Sequence, residues 1–191
     1  MHSSTVLIIG FTWPEPTSTA AGKRMLQLLN FFVRQKYRTV FASTAGETDR
    51  SLDLEDLGIE KAVIKLNDPG FDGFIKNLSP DIVVFDRFLT EEHFGWRVAD
   101  YVPHAIRILD TEDLHSLRLT RQQQFKNDLP FTIDSWLQHD TTKREIASIY
   151  RCDLSLIISS FEMQLLTETL QIDENLLLHL PFMLNSLGLE T

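Results

Sequence analysis

The chain has one cysteine, Cys152, among its 191 residues. A single thiol cannot close an internal disulfide, so no oxidised framework is implied, and the usage leans towards a reducing compartment. Long hydrophobic runs are lacking: none approaches the ~20 residues that span a bilayer. The run Val6–Ile9 is too short for a secretion signal, and no basic segment precedes it. It reads as a first β-strand. The expectation is a cytoplasmic protein, with peripheral contact at the inner face of the membrane left open. Cations are scarce too: 18 Lys and Arg stand against 27 Asp and Glu, for a net charge of −9. Duplex affinity comes largely from Lys and Arg on phosphates, so nucleic acid is not the expected partner. A small basic pocket for a phosphorylated ligand remains compatible with that charge.

Several signatures are also missing. There is no G-x-G-x-x-G and no G-x-x-x-x-G-K-[ST], which argues against standard dinucleotide binding and P-loop chemistry. No G-x-S-x-G elbow supports a hydrolase triad. His93, His104, His139 and His179 show no metal-ligand spacing, so no metal site is expected. No tightly bound cofactor is expected either. Internal repeats, low-complexity stretches and charged tails are absent.

What is present is a rhythm of short apolar runs. Thr5–Gly10, Thr39–Ser43, Ala62–Leu66, Asp81–Phe85, Ala105–Leu109, Leu154–Ile158 and Leu176–Leu180 fit strands. Several are continuous rather than alternating, the pattern of strands buried on both faces of a parallel sheet. Helical spacing lies between them. Met25, Leu28, Leu29, Phe32 and Val33 predict a helix over about 20–35, and Phe71, Phe74, Ile75 and Leu78 a shorter one stopped by Pro80. Further helices are predicted over 91–101, from near Thr141, and through Met163, Leu166 and Leu170. Repeated strand–helix–strand units imply right-handed crossovers and a Rossmann-like, doubly wound parallel sheet of about seven strands. The stretch 121–140 reads as an irregular insertion, with Phe125, Phe131 and Trp136 partly exposed or packing locally.

Ligands bind open parallel sheets at the carboxyl ends of the strands, so the segments after each strand hold the candidates. Phe11–Gly22 follows strand one. Ser18, Thr19, Ala21 and Gly22 are small enough for close backbone approach, and the following helix start favours anions. A plain Ser or Thr helix cap explains the same residues. Arg24, just inside that helix, is either an anion grip or a solvated surface residue. Asp86-Arg87 follows strand four, as cleft lining or as a local ion pair. Asp110-Thr111-Glu112-Asp113-Leu114-His115 packs four titratable groups into six residues. Clustered acids can divide acid and base roles, and a neighbouring carboxylate can orient His115. Asp113 is equally a candidate N-cap. Ser159 and Glu162 form a Ser-x-x-Glu capping box whose free N–H groups could also face a ligand.

Taken in order, these segments resemble the N-terminal domain of retaining GT-B glycosyltransferases, especially family 4. The Pro14–Gly22 loop, Pro80-Asp81-Ile82-Val83-Val84, the Asp110–His115 run, and Arg151–Ser159 with Glu162 carry the likeness over nearly the whole chain. Ala20-Ala21-Gly22 stands where members carry Gly-Gly, and Glu112 where the histidine of their His-Asp pair falls. The resemblance implies one domain over 1–185 that binds acceptor and lines the cleft. A linker would begin at 186–191 and lead to a donor-binding C-terminal domain missing from this chain. The partners implied are a nucleotide-sugar donor, as substrate, and a sugar-containing acceptor. The first loop would approach the donor diphosphate. Asp113, His115 and Glu112 are the candidate catalytic groups. Ser18, Thr19, Ala21, Gly22 and Arg24 are the candidate donor-side contacts, and Asp86, Arg87, Asp110, Ser159 and Glu162 the cleft. Alternatives are a non-catalytic glycosyltransferase-like binding module, half of a GT-B sugar-nucleotide epimerase, and a free-standing nucleotide-binding domain.

Overall fold

The computed structural model describes residues 4–182. Seven strands form one all-parallel sheet: β1 (Thr5–Gly10), β2 (Arg38–Ser43), β3 (Glu60–Val63), β4 (Ile82–Asp86), β5 (Ile106–Asp110), β6 (Leu154–Ile157) and β7 (Leu177–His179). Their order is β3-β2-β1-β4-β5-β6-β7, a Rossmann-like, doubly wound arrangement. The helices are α1 (Ala20–Arg34), α2 (Gly70–Leu78), α3 (Arg87–Tyr101), α4 (His115–Lys126), α5 (Ile133–Gln138), α6 (Asp140–Arg151) and α7 (Ser160–Gln164).

The continuous apolar runs at the centre of the sheet, in β1, β2 and β4, are buried on both faces, as is usual for parallel strands. Every residue of β1 is buried. Val6 and Ile8 pack with Met25, Leu29 and Phe32 of α1, while Leu7 and Ile9 share the opposite core with Phe71, Ile75, Phe94 and Val98 of α2 and α3. The strand order reverses between β1 and β4, so the loops after these two strands diverge and open a crevice at their carboxyl ends.

Some boundaries differ from expectation for physical reasons. β3 ends at Val63, not Leu66, because its only neighbour, β2, runs out at Ser43. β7 is also an edge strand, reduced to the three residues that pair with Ser155–Ile157. α3 begins at Arg87, four residues early, with no loop after β4. Arg87 makes that sharp turn with φ 71°. Helix α7 runs on into a wider π-type turn over Leu165–Thr169, where a regular helix was expected. The stretch 121–140 is no irregular insertion. It holds the end of α4, all of α5 and the first residue of α6. Within it Phe125 is 86% exposed, but Trp136 is fully buried. The indole can enter the core because its Nε1 donates to Ser116 Oγ at 2.9 Å. The expected linker at 186–191 lies outside the described residues. Among the described residues no helix is long and apolar enough to cross a membrane.

Candidate functional site

The first wall of the crevice is the loop from Phe11 to Thr19, and close packing fixes it. A Cβ at Gly10 would sit 2.1 Å from the Phe41 ring, so only glycine lets the chain leave β1 here. A Cβ at Gly22 would lie 2.4 Å from the Glu15 carbonyl carbon, so this glycine lets the loop fold down onto α1. Glu15 ties the loop together. Its carbonyl accepts from the N–H groups of Ser18 at 3.1 Å and Thr19 at 3.0 Å, and its carboxylate accepts from Thr48 at 2.6 Å and Ser18 at 2.8 Å. Trp13 is buried against Phe41 and donates from Nε1 to Ala45 O at 2.7 Å. Thr19 caps α1 by accepting from Gly22 N at 2.9 Å. Ala20 and Ala21, the first helical residues, have no acceptor within the helix for their N–H groups.

The opposite wall comes from β4 and β5. Asp86 is 5% exposed. Its Oδ2 accepts from Phe11 N at 2.9 Å, joining the two walls. Its Oδ1 has no hydrogen-bond partner, the nearest cation being Arg87 Nε at 3.6 Å. Arg87 instead donates to Glu112 Oε2 at 2.8 Å and lies over the Phe11 ring, 5.2 Å from its centroid. Arg87 and Glu112 both hold positive φ, 71° and 59°, a strain that recurs where a fold positions functional groups. A cavity of about 290 Å³ lies between the walls, lined by Trp13, Thr19, Ala21, Gly22, Asp86, Arg87 and Glu112 among others. Burial, with the neighbouring Glu112 charge, pushes the Asp86 carboxyl up to about 7, against the pull of Arg87. Burial raises Glu112 as well, and Arg87 again opposes it.

Arg24 lies behind this cavity and does not line it. It is fully buried, donating from Nε to both oxygens of Asp110 at 2.9 and 3.0 Å and from a terminal nitrogen to Leu180 O at 2.8 Å. Asp110 is fully buried too. The expected anion grip and the expected cleft acid therefore satisfy each other, as a clamp between α1, β5 and the segment after β7. Ser18 does not line the cavity, and its hydroxyl donates to Glu15.

The β5–α4 turn separates Glu112 from Asp113 and His115. Asp113 is not a helix cap: the residue at that position is Leu114, which has no capping side chain. Remote acids cap α4 instead. Glu162 Oε1 accepts from Leu114 N at 2.9 Å, and Glu145 accepts from His115 N at 2.9 Å and from Ser116 N at 3.1 Å. Asp113 is thereby free to pair with Arg118 Nε at 2.7 Å and His115 Nδ1 at 3.1 Å. Burial opposes its ionisation, but His115 and Arg118 hold its carboxyl down to about 2. The same contact with Asp113 raises His115. The Ser-x-x-Glu box is half formed. Ser159 accepts from Glu162 N at 3.4 Å, while the Glu162 side chain turns to α4.

The structure thus gathers Thr19, Ala21, Gly22, Asp86, Arg87 and Glu112 in one cavity. Asp113 and Glu162 line a different hollow across the β5–α4 turn, and His115 lines neither. Sequence reasoning missed Phe11, Trp13 and Glu15, whose position in the first loop was the available signal. It also missed Glu145, which carried none, since its partners lie on another helix. Among the described residues no group of three or more His, Cys, Asp or Glu is placed to hold a metal ion. The sequence matches no family model and no characterised protein. The geometry, with its Rossmann-like parallel sheet, therefore has to carry the functional reading.

Proposed function

We propose that this chain is the acceptor-side half of a retaining GT-B-type glycosyltransferase, with a nucleotide sugar as donor substrate and a sugar-containing acceptor. The observation that carries the reading is the switch-point cavity. It offers a helix start for an anion on one wall and a buried carboxyl with a vacant oxygen on the other. A phosphate beside hydroxyls is the chemistry that fits both walls. The second domain, outside this chain, would complete the donor site. Retaining transfer passes through an oxocarbenium-like centre, and Glu112, the carboxylate of the catalytic candidates that lines the cavity, would stabilise that charge. Asp113 Oδ1 lies 3.1 Å from His115 Nδ1, where a carboxylate would orient the imidazole.

The binding step needs only this chain and tests the reading. Titration of the ¹⁵N-labelled protein with UDP-glucose and GDP-mannose should shift the amides of Phe11, Ala21, Gly22 and Arg87 at millimolar ligand. Silence at those amides with both nucleotide sugars sinks the proposal. One observation favours a second reading, a non-catalytic binding module: Asp113 and His115 stand outside the switch-point cavity. That reading keeps the amide shifts but predicts no sugar transfer by the protein with both domains present.

A further inference from the structure

We propose a second ligand site between α4 and α7 that takes a hydroxylated anion, a sugar acid or sugar phosphate. Its acid group would sit on Arg121 and a hydroxyl on Glu162. The site stands on its own residues and does not depend on the switch-point cavity. Under the glycosyltransferase reading it is where an acidic acceptor would be held.

The hollow measures about 310 Å³ and is lined by Asp113, Leu114, Leu117, Arg118, Arg121, Gln122 and Glu162. That volume is at the small end for ligand pockets, the size class of a single sugar ring. It opens at the carboxyl ends of β5 and β6, on the far side of the β5–α4 turn from the first cavity.

Two side chains in it are incompletely satisfied. Glu162 is 7% exposed; capping α4 occupies Oε1, and Oε2 has no partner. A buried carboxylate oxygen left unpaired is costly, and a helix cap needs only one of the two. The second oxygen is in place for a donor from outside the chain. Arg121 is the complement. Its guanidinium carbon lies 5.2 Å from the ring centroids of both Phe131 and Phe161. Two rings fix the plane of the guanidinium and leave its edge N–H groups for an acceptor. No acceptor among the described residues takes them, although the chain holds 27 acidic residues. Arg118, by contrast, is already spent on Asp113. An oriented guanidinium that lacks a hydrogen-bonding acceptor, beside a buried carboxylate whose charge it partly offsets, selects a ligand with an oxyanion and a hydroxyl on one small frame.

Four probes test this by titration of the ¹⁵N-labelled chain: glucuronate, glucose 6-phosphate, glucose and inorganic phosphate. The amides of Leu114 and Gln122 report, so the result reads separately from the switch-point test at Phe11, Ala21 and Arg87. At least one sugar anion should bind about tenfold tighter than either glucose or phosphate. The tighter of the two shows whether the site is built for a carboxylate or a phosphate. Arg121→Gln, at an exposed side chain, should weaken that binding at least about tenfold. Glu162→Gln, which keeps an acceptor for Leu114, should reduce the sugar anion to the level of phosphate alone. Equal binding of glucose and its anions, an unaltered affinity in Arg121→Gln, or no shift at Leu114 and Gln122 with any probe overturns the proposal.

Discussion

Asp86 is held almost out of solvent with one oxygen on Phe11 N and the other unpartnered. Burial raises its carboxyl from 3.8 to about 7. The folded chain then keeps a proton that the unfolded chain has already released. Between those two values, stability contributed by this residue falls as pH rises, and above about 7 it is flat. Each unit of difference is worth about 1.4 kcal/mol. Asp86→Asn should therefore be more stable than the parent at pH 8, by up to about 4 kcal/mol, and gain much less at pH 5. Urea midpoints at both pH values decide it; parallel shifts would mean Asp86 is ionised throughout. At the next turn, Asp113 raises His115 through a direct contact. Asp113→Asn should lower the His115 titration midpoint, followed by its ring NMR signals, and a midpoint that does not move would place the ring elsewhere.

At the scale of elements, α1 and α4 are both fixed by acids far away in the chain. Glu145 is 1% exposed and accepts from two backbone N–H groups and the Ser116 hydroxyl at the start of α4. Ser116 in turn receives the Trp136 indole, so α4, α5 and α6 share one buried network. Glu145→Ala should cost about 2–3 kcal/mol, more than a surface cap, because three donors lose their acceptor in the core. Denaturant unfolding measures it, and a loss within about 0.5 kcal/mol would show that water replaces the carboxylate. The Arg24–Asp110 clamp joins α1 to β5. Arg24→Met should destabilise by about 3–5 kcal/mol, since it leaves Asp110 buried and unpaired. Adding Asp110→Asn to it should recover part of that loss in the same assay.

The whole molecule is unevenly covered. Helices α2 to α7 pack on the Leu7 and Ile9 face, whereas α1 is the one α-helix among the described residues on the other, joined by Trp13 and the β2–β3 connection. Ile82, Ile108, Leu154, Leu178 and Leu180 consequently line an apolar hollow of about 410 Å³ beside α1. Phe31 and Leu178 in its lining are 53% and 45% exposed. Parallel sheets normally bury both faces, and an apolar patch of this kind binds amphiphilic probes. The native chain should enhance the fluorescence of anilinonaphthalene sulfonate, and Phe31→Lys with Leu178→Lys should abolish most of the signal. An unchanged signal in the double variant would move the dye to another surface.

The sequence by itself determined the seven strands, their parallel pairing and the doubly wound class. Those follow from short continuous apolar runs alternating with helical spacing, and both patterns are local. It also marked the Phe11–Gly22 loop, because small residues between a strand end and a helix start let the backbone come close to a ligand. Edge-strand lengths were out of its reach, since a strand lasts only as long as its neighbour offers partners. The site was legible by segment but not by role. Asp113 reads as a cap and Arg24 as a surface or ligand-facing residue until the fold brings in Glu145, Glu162 and Asp110. Only the tertiary structure decided which acids are spent on the chain itself and which keep a free oxygen. The reason is physical: burial and pairing are properties of residues that meet in space, and here the partners lie 30, 48 and 86 positions apart in the chain.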